Sequence, residues 1–269
     1  MLKDITVGQY YPGQSFLHRL DPRAKIIGLA LYMTALFLVR RLAGFGYVAV
    51  FTVLLIASSG VPPKVALKGI KPIWPLLAFT LVLNFFLTPA GEVLWRWGAL
   101  KVTDAGITRG IFMTLRLVLL LNATALLTLT TTPIRLTDGL ERVMGRLRVP
   151  MAHELAMMMT IALRFIPTLI EETERLMKAQ TARGADFERG GLIARAKSLI
   201  PLLVPLFVGA LRRADDLATA MEARCYRGGE GRTRLRPLRY QARDGAALLL
   251  AGGLLALTVA DRYWLRWLN

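Results

Sequence analysis

The sequence predicts an all-α polytopic membrane protein: about five transmembrane helices, with two long cytosolic helices inserted before the last span. Three observations carry this. Of 269 residues, 54% are hydrophobic and the mean hydropathy is +0.45, yet 35 Lys+Arg against 18 Asp+Glu give a formal charge of +17. Apolar surface on that scale would aggregate in a soluble domain, and a nucleic-acid binder of this basicity does not need it. Segregation reconciles the two, with apolar residues in bilayer spans and basic residues in the flanks. The third observation is a set of apolar runs, each closed by Pro, Gly or charge. The single Cys excludes an internal disulfide, and with only 2 His it argues against a structural zinc site.

A spanning helix needs about 20 largely apolar residues. The first span runs over about residues 26–39, extended at its start by Ala24 and Lys25 and closed by Arg40 and Arg41. Asp21 followed by Pro22 reads as an N-cap with proline in the first turn, placing a helix start just before it. The stretch from Ser15 to Arg23 is polar, so the N-terminal segment does not read as a cleaved signal. The second span covers 42–61 and ends at Gly60 and Pro62-Pro63; the third, 73–87, lies between Pro72 and Pro89. The fourth, 107–132, contains Arg116 and Asn122 and stops at Pro133. The fifth, 245–260, is framed by Asp244 and Asp261-Arg262 and is short for a crossing.

Basic residues near the span ends set the orientation. Lys3, Arg19, Arg23 and Lys25 precede the first span, Lys64, Lys68 and Lys71 separate the second from the third, and the section after the fourth is strongly basic. The opposite loops are leaner. The expected topology is multi-pass in the cytoplasmic membrane, N-terminus cytosolic and C-terminus extracellular. The organisation is a four-span domain over 1–132, a cytosolic domain over 133–243 and a last span over 244–269.

Within 133–243 two stretches, 151–183 and 192–224, begin apolar and end charged. Glu171, Glu172, Glu174, Arg175 and Lys178 mark the polar half of one, and Arg212, Arg213, Asp215, Asp216 and Glu222 that of the other. A charge at the bilayer centre costs about 2.5–3.5 kcal/mol even on insertion scales, so both helices are expected along the cytosolic face. Pro167, Pro201 and Pro205 predict kinks. The stretches echo each other, closing with Ala182-Arg183-Gly184 and Ala223-Arg224-Cys225.

Two readings of the closing arginines stay open on spacing alone. A cation at a helix C-terminus offsets the macrodipole, by about 0.3–1 kcal/mol. Alternatively, each guanidinium fork enters an acidic groove of a partner protein through bidentate bonds. Met151, Met157, Met158 and Met159 likewise read either as ordinary core and lipid contact or as an adaptable partner surface.

The stretch Ser15-Phe16-Leu17-His18-Arg19-Leu20-Asp21-Pro22-Arg23-Ala24-Lys25 resembles the N-terminal signature of the transmembrane T component of energy-coupling factor transporters. So do Ala162-Leu163-Arg164-Phe165-Ile166-Pro167, the run from Lys178 to Asp186, and Met221-Glu222-Ala223-Arg224-Cys225-Tyr226, where Cys225 stands in place of a common Gly. The resemblance covers essentially the whole chain. It implies a scaffold of an ABC-class importer for vitamins or metal ions. Two cytosolic ATPases, a homo- or heterodimer, would sit on one side and a membrane-embedded substrate-binding S component on the other. Ala182, Arg183, Gly184, Ala223, Arg224 and Cys225 would form the ATPase-coupling ends of two helices crossed in an X, and Met151, Met157, Met158 and Met159 would contact the S component. The resemblance also leaves substrate choice to the S component.

No Gly-rich phosphate loop is present, so this chain is expected to be non-catalytic and to hold no cofactor, with ATP and Mg in the partner ATPases. Arg116 is read as snorkelling or capping a neighbouring helix end in preference to touching substrate. His18 is expected to be a packing or capping residue, His153 a surface one, and Cys225 a small residue buried in the partner groove. Arg232, Arg234, Arg236, Arg239 and Arg243 read as a positive-inside anchor on anionic lipid, not a nucleic-acid site. The alternative to the coupling scaffold is a self-contained membrane permease with a cytosolic regulatory region. An intramembrane enzyme lacks paired carboxylates or a nucleophile with its base in any span.

Overall fold

Asp21 and Pro22 start the first long helix as their residue types require. In the computed structural model the Asp21 carboxylate accepts from the Arg23 backbone N–H at 2.9 Å, and Pro22 occupies the first turn, where its missing N–H leaves no bond unmade. The structure describes residues 10–88, 92–97, 100–185, 187, 191, 193, 197–229, 231 and 238–264. In chain order these give α1 (Phe16–Arg19), α2 (Pro22–Leu38), α3 (Leu42–Ser59) and α4 (Pro63–Lys68). A 3-10 turn (Lys71–Ile73) then leads into α5 (Trp74–Leu87). A hairpin of β1 (Val93–Trp97) and β2 (Leu100–Thr103) follows, then α6 (Asp104–Thr130), α7 (Pro133–Arg146), α8 (Ala152–Ala182), α9 (Ile200–Ala223) and α10 (Ala242–Trp264). The hairpin is antiparallel, with Val93 opposite Thr103 and Trp97 opposite Leu100.

The described residues fall into two units, one within 8–140 and 237–269, the other within 141–236. The first is a helical bundle. Its core joins Tyr32, Ala35, Leu36 and Val39 of α2 and its C-cap to Phe45 and Val48 of α3, Leu119 and Ala123 of α6, and Leu254 of α10. In α6, Gly106 and Gly110 admit α5 closely: a Cβ on Gly106 would lie 2.9 Å from the Asn84 carbonyl oxygen, and one on Gly110 would lie 3.0 Å from the Phe85 ring. This is the small-residue spacing by which membrane helices approach each other.

Polar groups in the bundle tie helix ends together. The buried Asp244 accepts from the Gln241 N–H at 2.8 Å, capping α10, and from the Asp21 N–H at 2.7 Å, which pins α10 to the start of α2. Lys25 donates to the Thr130 carbonyl at 2.9 Å and to the Thr131 hydroxyl at 2.8 Å, at the C-terminus of α6. Arg116 donates to the Val39 carbonyl at 2.9 Å, at the C-cap of α2, and lies near the rings of Phe37 and Phe45. Capping, and not substrate contact, is therefore the geometry of Arg116. His18 is buried, its Nε2–H donating to the Tyr11 carbonyl at 2.9 Å and its Nδ1 accepting from the Ser15 hydroxyl at 2.7 Å.

Among the described residues five helical segments are long and apolar enough to cross a membrane: Leu42–Ser59, Pro63–Phe86, Asp104–Thr130, Ala152–Ala182 and Ala242–Tyr263. The set differs from the sequence expectation in two members. α2 has 17 residues, at the lower limit for a crossing. α8 has the length and composition of a span, because its first half (residues 152–169) carries only Glu154 and Arg164 as charged residues. α10, at 23 residues, is not short: Asp244, expected to frame the span, lies inside the helix as its cap. Pro133 does not merely end α6 but opens α7, an element the sequence reading left out.

Candidate functional site

α8 and α9 form the second unit with their charged halves toward the C-terminal ends. α8 has 31 residues. α9 has 24 and begins at Ile200, shorter than the expected start at 192; part of 192–199 lies outside the described residues. Pro201 falls in the first turn of α9, where no bond is lost, so the expected kink does not arise there, while Pro167 and Pro205 are interior. The helices meet where Gly209 and Arg213, one turn apart on α9, flank Glu172 of α8. Arg213 and Glu172 form a half-buried ion pair, and a Cβ on Gly209 would lie 3.1 Å from a Glu172 carboxylate oxygen.

The two arginines occupy equivalent positions. Arg183 is the C-cap of α8 (φ −88°, ψ 7°) and Arg224 that of α9 (φ −92°, ψ 12°). Beyond Arg183, the Gly184 N–H donates to the Thr181 carbonyl at 2.9 Å and the Ala185 N–H to the Gln180 carbonyl at 3.0 Å. Beyond Arg224, the Cys225 N–H donates to the Glu222 carbonyl at 2.8 Å and the Tyr226 N–H to the Met221 carbonyl at 3.0 Å. Both are Schellman motifs, which require a left-handed residue after the cap. Gly184 has φ +88° and Cys225 φ +54°. The faint sequence echo thus becomes one local geometry built twice. It also gives the physical reason for a glycine at the position of Cys225, which pays the steric penalty of a Cβ in that conformation.

Ala182, Arg183, Gly184, Ala223, Arg224 and Cys225 are all exposed. Neither guanidinium has a hydrogen bond or ion pair among the described residues. Cys225 is a free, exposed thiol in this chain, placed beside Arg224 where a partner surface would have to cover it. Gly184→Ala should loosen the first cap by about 1 kcal/mol, making the Ala185 amide exchange roughly fivefold faster in hydrogen-exchange mass spectrometry; Cys225→Gly should slow the Tyr226 amide by a comparable factor.

His153 is not the surface residue the sequence suggested. It is half-buried, with Nδ1 at 2.9 Å from Glu141 Oε1 and Nε2 at 3.1 Å from the Tyr226 hydroxyl. It thereby links the segment just after the Arg224 cap to the start of α8. A Cβ on Gly229 would sit 2.7 Å from the ring. Nothing in the local sequence signals this, since the partners are 12 and 73 residues away.

Of the four methionines, Met151 and Met158 are exposed, while Met157 and Met159 are half-buried. Consecutive residues on a helix point about 100° apart, so 157–159 cannot share one face. The broader apolar surface is on α9, where Ile200, Leu203, Val204, Phe207, Val208 and Leu211 form an exposed stripe at i, i+3, i+4 and i+7 spacing. That periodicity was available in the sequence. Of the basic run before the last span, Arg239 and Arg243 are described, while Arg232, Arg234 and Arg236 lie outside the described residues. Among the described residues no cluster of His, Cys, Asp and Glu could hold a metal ion.

Membrane-length helices, buried polar groups used as ties, and a separate unit ending in twin exposed caps define the class: a multi-pass α-helical membrane protein. A model of the family described as Cobalt transport protein (CbiQ) matches residues 13–235. The chain is 53% identical over 268 residues to the energy-coupling factor transporter transmembrane protein EcfT of Clostridium kluyveri, covering 98% of this chain and 99% of that one. It is 53% identical to the protein of the same name from Acidaminococcus fermentans (99% and 98% covered), and 46% identical to that from Bacillus subtilis (93% and 95%). The chain belongs to the EcfT family and is a transmembrane component of an energy-coupling factor transporter.

Proposed function

We propose that this chain is the coupling scaffold of an importer for vitamins or metal ions, with Arg183 and Arg224 each seated in a groove of one of two cytosolic ATPases. The observation that carries the reading is the duplicated cap: two long helices end in the same Schellman geometry, each presenting an arginine with no partner among the described residues. A macrodipole charge needs no such duplication, whereas two equivalent motor subunits need two equivalent handles. Closure of the ATPases on ATP would draw the helix ends together. The apolar stripe on α9, with Met151 at the N-cap of α8 and Met158 on it, would transmit that movement to a membrane-embedded S component, which tilts to release substrate inward. ATP and Mg belong to the ATPases, and the cap-bearing ends of α8 and α9 lie on the cytosolic side.

The permease alternative needs a polar route through the bundle. Of the described polar groups there, Arg116, Lys25, Asp244 and His18 are engaged in ties between or within helix ends, and Asn84 and Asn122 donate to carbonyls one turn back in their own helices. Reconstitution decides between the two. The purified chain alone in liposomes should take up no vitamin or metal ion, and ATP-driven uptake should appear only when two ATPases and an S component are co-reconstituted. Uptake by the chain alone would overturn the scaffold reading.

A further inference from the structure

At the end of the bundle opposite Asp21 and Lys25, the α2–α3 connection and the end of α10 enclose a cleft of about 360 Å³ lined by Leu38, Arg40, Arg41, Asp261, Arg262 and Tyr263. Three guanidinium groups from two separate segments face one carboxylate, and Asp261 also stands beside the Tyr47 hydroxyl. The depth of the cleft follows from the helix that carries it. Asp244 is tied to Asp21 at the start of α2, and Asp261 lies 17 residues further along α10, about 26 Å of rise. That nearly matches the roughly 30 Å hydrocarbon layer, so the cleft stands at the second bilayer boundary, at the level of lipid phosphates.

Basic residues accumulate on the cytosolic side of membrane proteins, and here that rule accounts for the end bearing Arg19, Arg23 and Lys25. It does not account for three arginines gathered around the single carboxylate of Asp261 at the other end, a local surplus of positive charge that a further anion would offset. We propose that this cleft binds the phosphodiester of an anionic lipid headgroup, with Arg40, Arg41 and Arg262 as its donors. Arginine suits the task because its planar fork bonds two phosphate oxygens at once. The apolar Leu38 and the ring of Tyr263 complete a lining that suits the glycerol and upper acyl chain of a lipid better than free phosphate.

The test uses the full chain in phosphatidylcholine nanodiscs, with lipid binding read by native mass spectrometry. Phosphatidylglycerol should be retained at high collision energy by the unaltered chain. The triple variant Arg40→Gln/Arg41→Gln/Arg262→Gln should hold it on the order of tenfold more weakly. The corresponding Arg→Lys triple keeps the charge but not the fork and should fall between the two, so the proposal stays testable if the Gln variant folds poorly. Inorganic phosphate at millimolar concentration should not displace the lipid. Equal retention by all three chains would overturn the site, and displacement by inorganic phosphate would overturn the lipid assignment.

Discussion

Replacing both Arg183 and Arg224 with alanine is expected to abolish ATP-driven uptake by the reconstituted complex while leaving the chain folded in the membrane. The magnitudes distinguish the two roles an arginine can have at these positions. As a helix-end charge, each contributes about 0.3–1 kcal/mol, and its loss would be nearly silent in a transport assay. As a buried, hydrogen-bonded charge in an interface, each removal costs about 2–5 kcal/mol, at least a thirtyfold loss of docking affinity per site. Each single variant should therefore weaken retention of the ATPases on copurification, and the double variant should lose them. Arg→Lys sharpens the discrimination. Lysine satisfies a macrodipole as well as arginine does but cannot make two parallel bonds to a carboxylate. Failure of the double lysine variant to restore uptake supports docking, and full restoration returns both residues to helix-end charges. Because both caps share one backbone geometry, the two single variants should be similarly impaired on a homodimeric motor.

What the sequence made legible was local. The Asp21-Pro22 pair, Gly60 with its φ of +65° closing α3, and the apolar lengths of α3, α5 and α6 each depend on residues within a turn or two of one another. The misreadings share a different cause. Asp244 looked like a polar frame for the last span because a buried carboxylate is recognised only by what it accepts from, and one donor lies on Asp21, 223 residues away. His153 passed for a surface residue for the same reason. Pro133 signals the end of one helix and the start of another equally well, since the first turn tolerates it. The hairpin over 93–103 is too short for its alternation to stand out from a loop. For the candidate site, the likeness of the two arginines' neighbourhoods is legible in the sequence. That Gly184 and Cys225 are conformationally equivalent appears only once the positive φ values are known.

Exchanging the charges of Glu172 and Arg213 should restore what either single reversal removes, and this bears on how two helices could act as one lever. On the proposed coupling, motion delivered at the caps would reach the far ends of α8 and α9 only if the helices do not slide where they meet. At that contact Gly209 lets the Glu172 carboxylate lie against α9 backbone, and Arg213 holds it one turn away. The pair is only partly exposed, so reversal of one member sets like charges together in a setting where solvent screens them incompletely. Glu172→Arg and Arg213→Glu should each lower uptake per ATP hydrolysed by about tenfold, while ATPase copurification, which the proposed docking assigns to the distant caps, stays near normal. The double exchange rebuilds an attractive pair of opposite polarity and should recover most of the ratio. A lever weakened merely by lost packing would not recover, because the exchange introduces two further changes of shape. Failure of the double variant would therefore remove the ion pair from the coupling path and leave helix packing alone to carry the movement.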